Sequence, residues 1–377
     1  MNVVVSGYYA GFPVAGLFWH AVSFALGFTE LGHQVWYLED SGDVPWGFDF
    51  ERLDFDHDCR YGVRRLAAEM DAVGMGDRWV YRHVPTDRWD GLGRDRAMDV
   101  LAGADVLVNV SLSAPMRPEY LHIPHRLAVD TDPVFNQVRM RTSTTPTATV
   151  ADTHTRLFTF GRPPLPAPRP GDEWLPTRQP VVSRLWPVAG PPEPDAPFTT
   201  VTHWEAYPGI SWDGVYYGTK GDTMREYADL PHRTGVPLSL ALGGSARAQR
   251  TMTGGGWHVR EPVGVSEKTT DYRAWIAASA GEIGFAKHGY VTARSGWFSD
   301  RTCSYLASGR PAVVQDTGWS EWLPEGEGVL AFSDPAQAAA ALEEVAADPG
   351  RHARAARKLV EEHFEAEHVC AAMLEAL

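Results

Sequence analysis

The sequence predicts an α/β protein of two domains, each with a parallel sheet of the doubly wound type. Its 377 residues exceed what one ordinary hydrophobic core covers. In both halves, short apolar runs typical of buried strands alternate with amphipathic helical patterns. A proline-rich stretch, residues 161–197, interrupts this alternation and is interpreted as a linker between the halves.

Composition excludes several classes of protein. A hydrophobic content of 44% and a charged content of 22% are typical of a globular chain. The net charge of −14, without any basic tract, argues against a nucleic-acid-binding surface. No apolar run is long enough to cross a membrane, and the chain begins directly in a strand pattern, without a signal peptide. Three scattered cysteines form neither a disulfide framework nor a zinc motif, so we expect a cytoplasmic protein.

The first half begins with a β-loop-α-β unit. An apolar strand at residues 3–6 is followed by a glycine-containing loop, a helix at residues 14–31 and a second strand at residues 33–38. Further strands are predicted at 79–81, 105–110, 126–129 and 157–160, helices at 61–71 and 87–102, and a loop at 45–58. The fingerprint G-x-G-x-x-G is absent, which argues against a dinucleotide cofactor.

The second half restarts the alternation. Strands are predicted at 198–204, 215–218, 238–242, 257–259, 282–286 and 311–314. One helix is predicted after residue 222 and ends at residue 230. Further helices are predicted at 271–279 and 300–308, and the chain finishes with helices at 336–347, 352–363 and 365–377.

One stretch, residues 294–318, organises this half. A polar loop of small residues, 295–299, comes before the short helix, and Gly309 closes that helix. The free N–H groups and the positive dipole end of such a helix favour a phosphate or a pyrophosphate. We therefore predict a phosphate-binding site here.

Several segments resemble a GT-B-type glycosyltransferase. They are Val5-Ser6-Gly7, Leu31-Gly32-His33 and, more strongly, Ser308-Gly309-Arg310-Pro311, Asp316-Thr317-Gly318 and Leu323-Pro324-Glu325-Gly326. The resemblance implies two Rossmann-like domains facing each other across a cleft, with C-terminal helices closing the chain. It assigns residues 1–160 to the acceptor domain, 161–197 to the linker, 198–350 to the nucleotide-sugar domain and 351–377 to helices that pack back on the first domain.

The sequence departs from two well-known subfamilies. Retaining enzymes carry a Glu-x7-Glu pair, at whose positions Gly296 and Ser304 stand here. Inverting enzymes of the plant type carry a phosphate-binding histidine where Arg294 stands and a catalytic histidine where Leu17 stands. The sequence is most similar to actinobacterial natural-product glycosyltransferases.

The resemblance implies a nucleoside-diphosphate sugar, with UDP, GDP or dTDP, as co-substrate and neither a cofactor nor a metal ion. Backbone amides and cations must then neutralise the leaving diphosphate. Arg301, Lys220 and Lys287 are placed for this, with a surface ion pair or solvated side chains as the alternatives. The predicted donor-binding residues are Lys220, Arg260, Lys287, Ser295, Gly296, Trp297, Ser299, Arg301, Ser304, Asp316 and Thr317, and the cleft-loop residues are Gly11 and Gly16.

Individual roles follow from position. Asp316 and Thr317 follow a strand where related enzymes hold sugar hydroxyls, although a turn-capping residue is an equal alternative. Arg260 belongs to the loop expected against the nucleobase. Ser304 or Asp300 can substitute for the missing ribose-holding glutamate.

A general base is expected from the first half. Asp132 is the first candidate, because Asp130-Thr131-Asp132 ends a strand at the cleft. A helix cap is the alternative, and a metal-binding D-x-D belongs to a different architecture. His154 is the second candidate, His20 is expected to be packed in its helix, and a retaining mechanism or a thiol acceptor needs no base.

The sequence therefore predicts a glycosyltransferase acting on a small-molecule acceptor, with no nucleic-acid or membrane partner. Two alternatives stay open, a nucleotide-sugar epimerase of the same fold and an inactive partner of a true transferase. The sequence gives no oligomeric state.

Overall fold

The structure, a computed structural model, describes residues 1–142, 149–167 and 169–377. Pro168, one of the prolines of the predicted linker, lies outside the described residues. The strands of the first half are β1 (Asn2–Ser6), β2 (Gln34–Asp40), β3 (Gly47–Asp49), β4 (Asp54–Asp56), β5 (Trp79–His83), β6 (Arg88–Gly91), β7 (Val106–Val110), β8 (His125–Asp130), β9 (Arg156–Thr159) and β10 (Trp174–Pro176). Its helices are α1 (Ala15–Glu30), α2 (Arg60–Ala72), α3 (Arg94–Ala102), α4 (Pro118–Leu121), α5 (Phe135–Thr142) and α6 (Val150–Thr153).

The first sheet has the strand order β10-β9-β8-β7-β1-β2-β5-β6. Its strands are parallel except β6, which pairs antiparallel with β5. The central strands β1 and β7 are almost fully buried because helices cover both faces, and both read as continuous apolar runs. The carboxyl ends of β1, β7 and β8 meet at one edge of this sheet.

The second half forms its own sheet. Its strands are β11 (Phe198–His203), β12 (Ile210–Trp212), β13 (Val215–Tyr217), β14 (Leu238–Gly243), β15 (His258–Arg260), β16 (Gly281–Gly284), β17 (Ala312–Gln315) and β18 (Val329–Phe332). Its helices are α7 (Lys220–Met224), α8 (Ala246–Gly254), α9 (Val263–Ser266), α10 (Thr269–Ala278), α11 (His288–Thr292), α12 (Asp300–Ala307), α13 (Pro335–Ala347), α14 (Pro349–His363) and α15 (Ala366–Glu375). Six strands make a parallel sheet in the order β15-β14-β11-β16-β17-β18, while β12 and β13 form a separate hairpin.

One continuous apolar core joins the two sheets. Trp19 of α1 contacts Trp186 at a ring-centroid distance of 5.2 Å, and Trp186 contacts Tyr272 of α10 at 6.3 Å. The last helix, α15, packs against α1, where Gly27 lies beside Cys370. The chain therefore returns from the second sheet to the first.

Several local expectations were wrong. The residues expected as a loop at 45–58 contain the β3–β4 hairpin, and the helix expected from residue 87 begins only at Arg94, after β6. The strand β12, which pairs with the expected strand β13 in a hairpin, was missed because it has only three residues. The proline-rich stretch contributes β10, which pairs with β9 at the sheet edge, where a proline is tolerated.

Candidate functional site

The carboxyl ends of the two sheets face each other across a cleft. A cavity of about 350 Å³ in this cleft is lined from the first half by Phe12, Gly16 and Phe50 and from the second by Val201, Pro262 and Arg301. Ligands of open α/β sheets gather beyond strand carboxyl ends, and this position has two such sheets. The cleft is therefore the candidate active site.

Arg301 lies in the first turn of α12 and lines this cavity. Its Nε donates to Oε1 of Glu282 and its Nη1 donates to the carbonyl of Val201 at 3.2 Å. Burial disfavours the charge of Arg301, but the fully buried Glu282 carboxylate outweighs it and raises the arginine pKa. Oε2 of Glu282 has no hydrogen-bond partner in the described part of the chain. Arg301 is therefore a fixed and permanent cation at the cleft.

Lys220, at the start of α7, is close to Arg301 and Lys287. Burial first, and then repulsion by these two cations, lowers the pKa of Lys220 to about 7. Its ammonium has neither a hydrogen bond nor an ion pair with any residue in the described ranges. The carboxylates of Asp300 and Glu282 oppose this lowering in part. A partly desolvated cation without a direct hydrogen bond or ion pair still gains from an incoming anion.

Asp132 and Lys287 are brought together from opposite sides of the cleft. Lys287 Nζ lies 2.8 Å from Asp132 Oδ1, and the hydroxyls of Tyr207 and Tyr290 donate to the same carboxylate. Lys287 also lies 4.9 Å from the ring centroid of Phe135. Burial lowers the pKa of Lys287, although Asp132 opposes this. The carboxylate of Asp132 thus forms an ion pair across the cleft, and its role as a general base stays a prediction.

The loop before α12 differs from the expected row of free amides. The amides of Ser295, Gly296 and Trp297 donate within the protein, to the Tyr290 carbonyl, the Thr317 carbonyl and the Ser295 hydroxyl. Gly296 has φ +71°, and a Cβ there would lie 2.6 Å from Cγ of Arg162. The indole of Trp297 donates to the carbonyl of Thr131 in the first half, at 3.2 Å. This part of the loop joins the domains.

Free amides begin later in the chain. The amides of Phe298, Ser299 and the first turn of α12 donate to no backbone or side-chain acceptor among the described residues. Ser299, whose side chain makes no cap bond to the helix, lines a small cavity together with Arg301 and Thr302. The free N–H groups at the start of α12 are therefore at residues 298–302, shifted toward the helix from the predicted loop.

The side chains of Asp316 and Thr317 form hydrogen bonds that stabilise the turn after β17. Asp316 Oδ1 accepts the amides of Gly318 at 2.9 Å and Ser320 at 3.4 Å, as an Asx turn does. The Thr317 hydroxyl donates to the carbonyl of Trp297 at 2.6 Å. These contacts match the turn-capping alternative, while Oδ2 of Asp316 has only the guanidinium of Arg294 at 3.7 Å. Sugar contacts of this turn stay a prediction.

Two other predicted residues, Arg260 and His154, contact none of these cations, whereas Ser304 lines a small cavity together with Arg301. Arg260 is exposed, with its guanidinium 5.2 Å from the ring centroid of Trp275. His154 is buried, accepts or donates only within the first half through Asn109 and the Val150 carbonyl, and burial lowers its pKa to about 4. A neutral, enclosed imidazole cannot reach a substrate in the cleft. Ser304 lies on α12, where its hydroxyl donates to the Asp300 carbonyl at 3.4 Å.

A second cavity, of about 430 Å³, lies in the first half beside the cleft. The aromatic side chains of Tyr8, Phe12, Trp46 and Phe55 line it, and Trp46 is 58% exposed. Gly11 also lines it, and its carbonyl accepts the amide of Phe48 at 2.9 Å. The sequence analysis missed Tyr8, although its place directly after β1 and Gly7 was a usable signal.

Glu39 fixes the loop that carries Tyr8 and Phe12. Its two oxygens accept the amides of Tyr9 at 2.6 Å and Ala10 at 2.7 Å and the hydroxyl of Tyr37 at 2.6 Å. Burial raises the pKa of Glu39 to about 7, against these three hydrogen bonds. The carboxylate lines the aromatic cavity and already accepts three hydrogen bonds, two of them at Oε1.

Two further features concern metals and membranes. Within residues 1–142, 149–167 and 169–377, no group of three or more His, Cys, Asp or Glu side chains is arranged to hold a metal ion. Over the same ranges, no helix has the length and apolar character that a membrane span needs.

Comparison with known proteins identifies the fold of the chain. Residues 233–377 match a protein family described as glycosyl transferase-like. No curated protein matches the sequence. Among solved structures, Anabaena HepE in complex with UDP and glucose aligns over 100% of this chain and 99% of its own, with a TM-score of 0.58 and 11% identity.

Two other solved structures also align with almost the whole chain. AviGT4, a glycosyltransferase involved in avilamycin A biosynthesis, aligns over 99% of this chain and 96% of its own, with a TM-score of 0.54 and 12% identity. Sucrose-phosphate synthase from Thermosynechococcus elongatus aligns over 100% of this chain and 98% of its own, with a TM-score of 0.56 and 11% identity. The chain has the GT-B fold, which confirms the predicted fold class, and its C-terminal part matches the glycosyl transferase-like family.

Proposed function

We propose that this chain is a glycosyltransferase that moves a sugar from a nucleoside-diphosphate sugar to a small-molecule acceptor, without a metal ion. The matched family covers most of the second half, including α12 and the strands around it. Free cysteines, all three of them buried, fit a reducing compartment, so the proposed location is the cytoplasm.

The observation that carries the proposal is the unpaired ammonium of Lys220 beside Arg301. A diphosphate leaving group must be neutralised as the glycosidic bond breaks. Lys220, Arg301 and the free amides at residues 298–302 supply positive charge at one place in the cleft. Because Glu282 already holds the guanidinium of Arg301, this side chain loses little conformational entropy when the diphosphate binds.

We assign the two halves different substrates. The second half holds the donor, because the cations and α12 belong to it. The aromatic cavity of the first half holds the acceptor, and its exposed Trp46 and Phe55 favour an acceptor with an apolar ring. HepE has been solved with UDP and with UDP-glucose, which makes UDP the first nucleotide to test.

A thermal-shift panel with UDP, GDP and dTDP tests donor binding. A ligand at about 100 times its Kd stabilises the native state by about 2.7 kcal/mol, so one nucleotide should raise the Tm clearly. The shift should disappear in K220M and in E282Q/R301M, and it should persist in K358M, since Lys358 lies on the exposed surface of α14. The double substitution avoids leaving the buried Glu282 without its arginine.

Turnover then separates the candidate activities. A transferase releases nucleoside diphosphate when an acceptor is added, whereas an epimerase converts the donor alone into an isomer. Nucleotide binding without either product would indicate an inactive partner. An unchanged Tm with all three nucleotides, or an equal shift in K220M, contradicts the proposal.

A further inference from the structure

The aromatic cavity of the first half takes its rings from two segments of the chain. Trp46, just before β3, and Phe55 of β4 meet edge to face, with 5.3 Å between ring centroids and 67° between ring planes. Tyr8 and Phe12, from the loop after β1, line the same cavity, and each is 39% exposed. The face of an aromatic ring carries partial negative charge, so it attracts a cation as well as an apolar group.

The charged side chains that line this cavity are both carboxylates. The described part of the chain contributes Glu39 and Asp40, from the end of β2, and neither a lysine, an arginine nor a histidine. His57 contacts Trp46, with 5.3 Å between ring centroids, but it lines the neighbouring cavity. Rings and carboxylates together give this cavity a negative potential.

Asp40 is paired, but it shares its partner. Arg117 donates from Nε to Oδ2 of Asp40 at 2.6 Å and from Nη2 to Oδ1 at 3.0 Å. The same Nη2 also donates to Asp43 at 3.1 Å. One guanidinium therefore balances two carboxylates and leaves no excess positive charge beside the cavity.

Glu39 forms no ion pair with any residue in the described ranges, although it is only 2% exposed. Its hydrogen-bond donors are the amides of Tyr9 and Ala10 and the hydroxyl of Tyr37, none of which carries a charge. Oε2 accepts only the amide of Ala10, so it can accept a further hydrogen bond. A cation that arrives with a ligand would stabilise this buried carboxylate.

We propose that this cavity recognises an acceptor that carries a protonated amine beside an apolar or aromatic ring, with the ammonium held between the aromatic ring faces and the Glu39 carboxylate. The inference rests on the proposed function and adds the chemical class of the acceptor. An ammonium has no lone pair, so it serves recognition, and a different group of the acceptor takes the sugar. Phe12 lines both this cavity and the cleft beside Arg301, so a molecule held here extends toward the donor.

Three phenols that differ in the charge of one side arm test the preference. At pH 7 tyramine carries an ammonium, tyrosol a neutral hydroxyl and 4-hydroxyphenylacetate a carboxylate. Titration calorimetry with the wild type, without nucleotide and then with UDP, should give tyramine a Kd roughly 10-fold below that of tyrosol, as for a desolvated cation at aromatic faces. The carboxylate should bind most weakly, because Glu39 and Asp40 repel it.

The variants W46L and F55L remove a ring face and keep an apolar side chain. Trp46 is 58% exposed and Phe55 is 49% exposed, so both variants should fold. The ratio of the tyrosol Kd to the tyramine Kd should fall by about threefold or more in each, since a leucine has no ring quadrupole.

E39Q removes the negative charge and should lower the same ratio. The control is W89L, because Trp89 lies on the edge strand β6 and does not line this cavity, so its ratio should equal that of the wild type. If E39Q does not fold, because Glu39 also holds two backbone amides, W46L and F55L decide the question. With UDP-glucose, kcat/KM of the wild type should follow the order tyramine, tyrosol, 4-hydroxyphenylacetate.

The outcomes separate the two proposals. Equal Kd values for tyramine and tyrosol, no binding of tyramine at millimolar concentration, or an unchanged ratio in both W46L and F55L overturns the amine preference. The proposed transferase survives any of these results if UDP still raises the Tm. A wild type that binds none of the nucleotides contradicts the proposed function, whatever its preference among the three phenols.

Discussion

Asp132 and Lys287 come from different sheets and meet in an ion pair across the cleft, with 2.8 Å between Oδ1 and Nζ. Asp132 follows β8, and Lys287 precedes α11. Their side chains are 19% and 20% exposed, so both charges are largely removed from water. The pair therefore holds the two halves in one relative position and depends on both partners.

Removing one partner of this pair should destabilise the protein more than removing both. D132N leaves the Lys287 ammonium among aromatic rings without its carboxylate, and we expect a loss of about 2 kcal/mol or more. K287M should cost a similar amount, whereas D132N/K287M should cost clearly less than their sum. Urea unfolding of all four proteins gives the coupling energy, which we expect at about 1 kcal/mol or more.

Additive losses would show that the pair contributes no net coupling. The control is R233M, because Arg233 forms an exposed ion pair with Asp229 on the surface, and such pairs contribute little. A loss in R233M as large as that in K287M would also contradict the interpretation.

Lys220 should make nucleotide binding dependent on pH. Its pKa is lowered from 10.5 to about 7 in the folded protein, so between these values the unfolded chain holds a proton that the native state has lost. The contribution of Lys220 to stability therefore rises with pH over this window. A bound diphosphate favours the charged ammonium, so binding takes up a proton and the affinity falls as pH rises above 7.

Titration calorimetry with UDP at pH 8, in buffers of different ionisation enthalpy, measures this uptake. At that pH the nucleotide is already ionised, so the wild type should take up close to one proton. K220M should take up almost none and bind more weakly, while K358M should behave as the wild type. Proton uptake that persists in K220M would show that another group titrates.

The fold could be predicted from the sequence because its signals are local. Buried parallel strands such as β1 and β7 read as apolar runs, and α12 reads as a capped helix between a loop and a strand. The hairpin β3–β4 and the strand β12 were missed because strands of three residues carry too little periodicity. β10 was not predicted, because the prolines around it indicate a linker more strongly than an edge strand.

The site was harder to predict, since its decisive contacts are long-range. Lys220 and Lys287 were predicted at the cleft from their positions after strands, and Arg301 from its position in the first turn of α12. The structure places the three cations close together. No pattern in the sequence indicates that Asp132 is neutralised by Lys287, because the two are far apart in the chain. His20 was expected to be packed and it is buried, but its contacts with Ser111 and Gln179 depend on three separate segments.

Two glycines of α1 should respond in opposite ways to the same substitution. A Cβ at Gly27 would lie 2.7 Å from Sγ of Cys370 and 2.8 Å from the carbonyl oxygen of Ala366, both on α15. A Cβ at Gly16 would have no neighbour within 4 Å, because Gly16 faces the cleft. Glycine to alanine inside a helix normally stabilises by about 0.5–1 kcal/mol. G16A should therefore raise the Tm.

G27A should instead lower the Tm, since α15 must move away from α1 and overpacking costs about 1–3 kcal/mol. Differential scanning calorimetry of G16A, G27A and the wild type compares the two directly, and each substitution serves as the control for the other. Because Gly27 lies far along α1 from the cleft, G27A should still bind UDP. A Tm raised in both variants would mean that the Gly27–Cys370 contact does not fix the last helix against the first sheet.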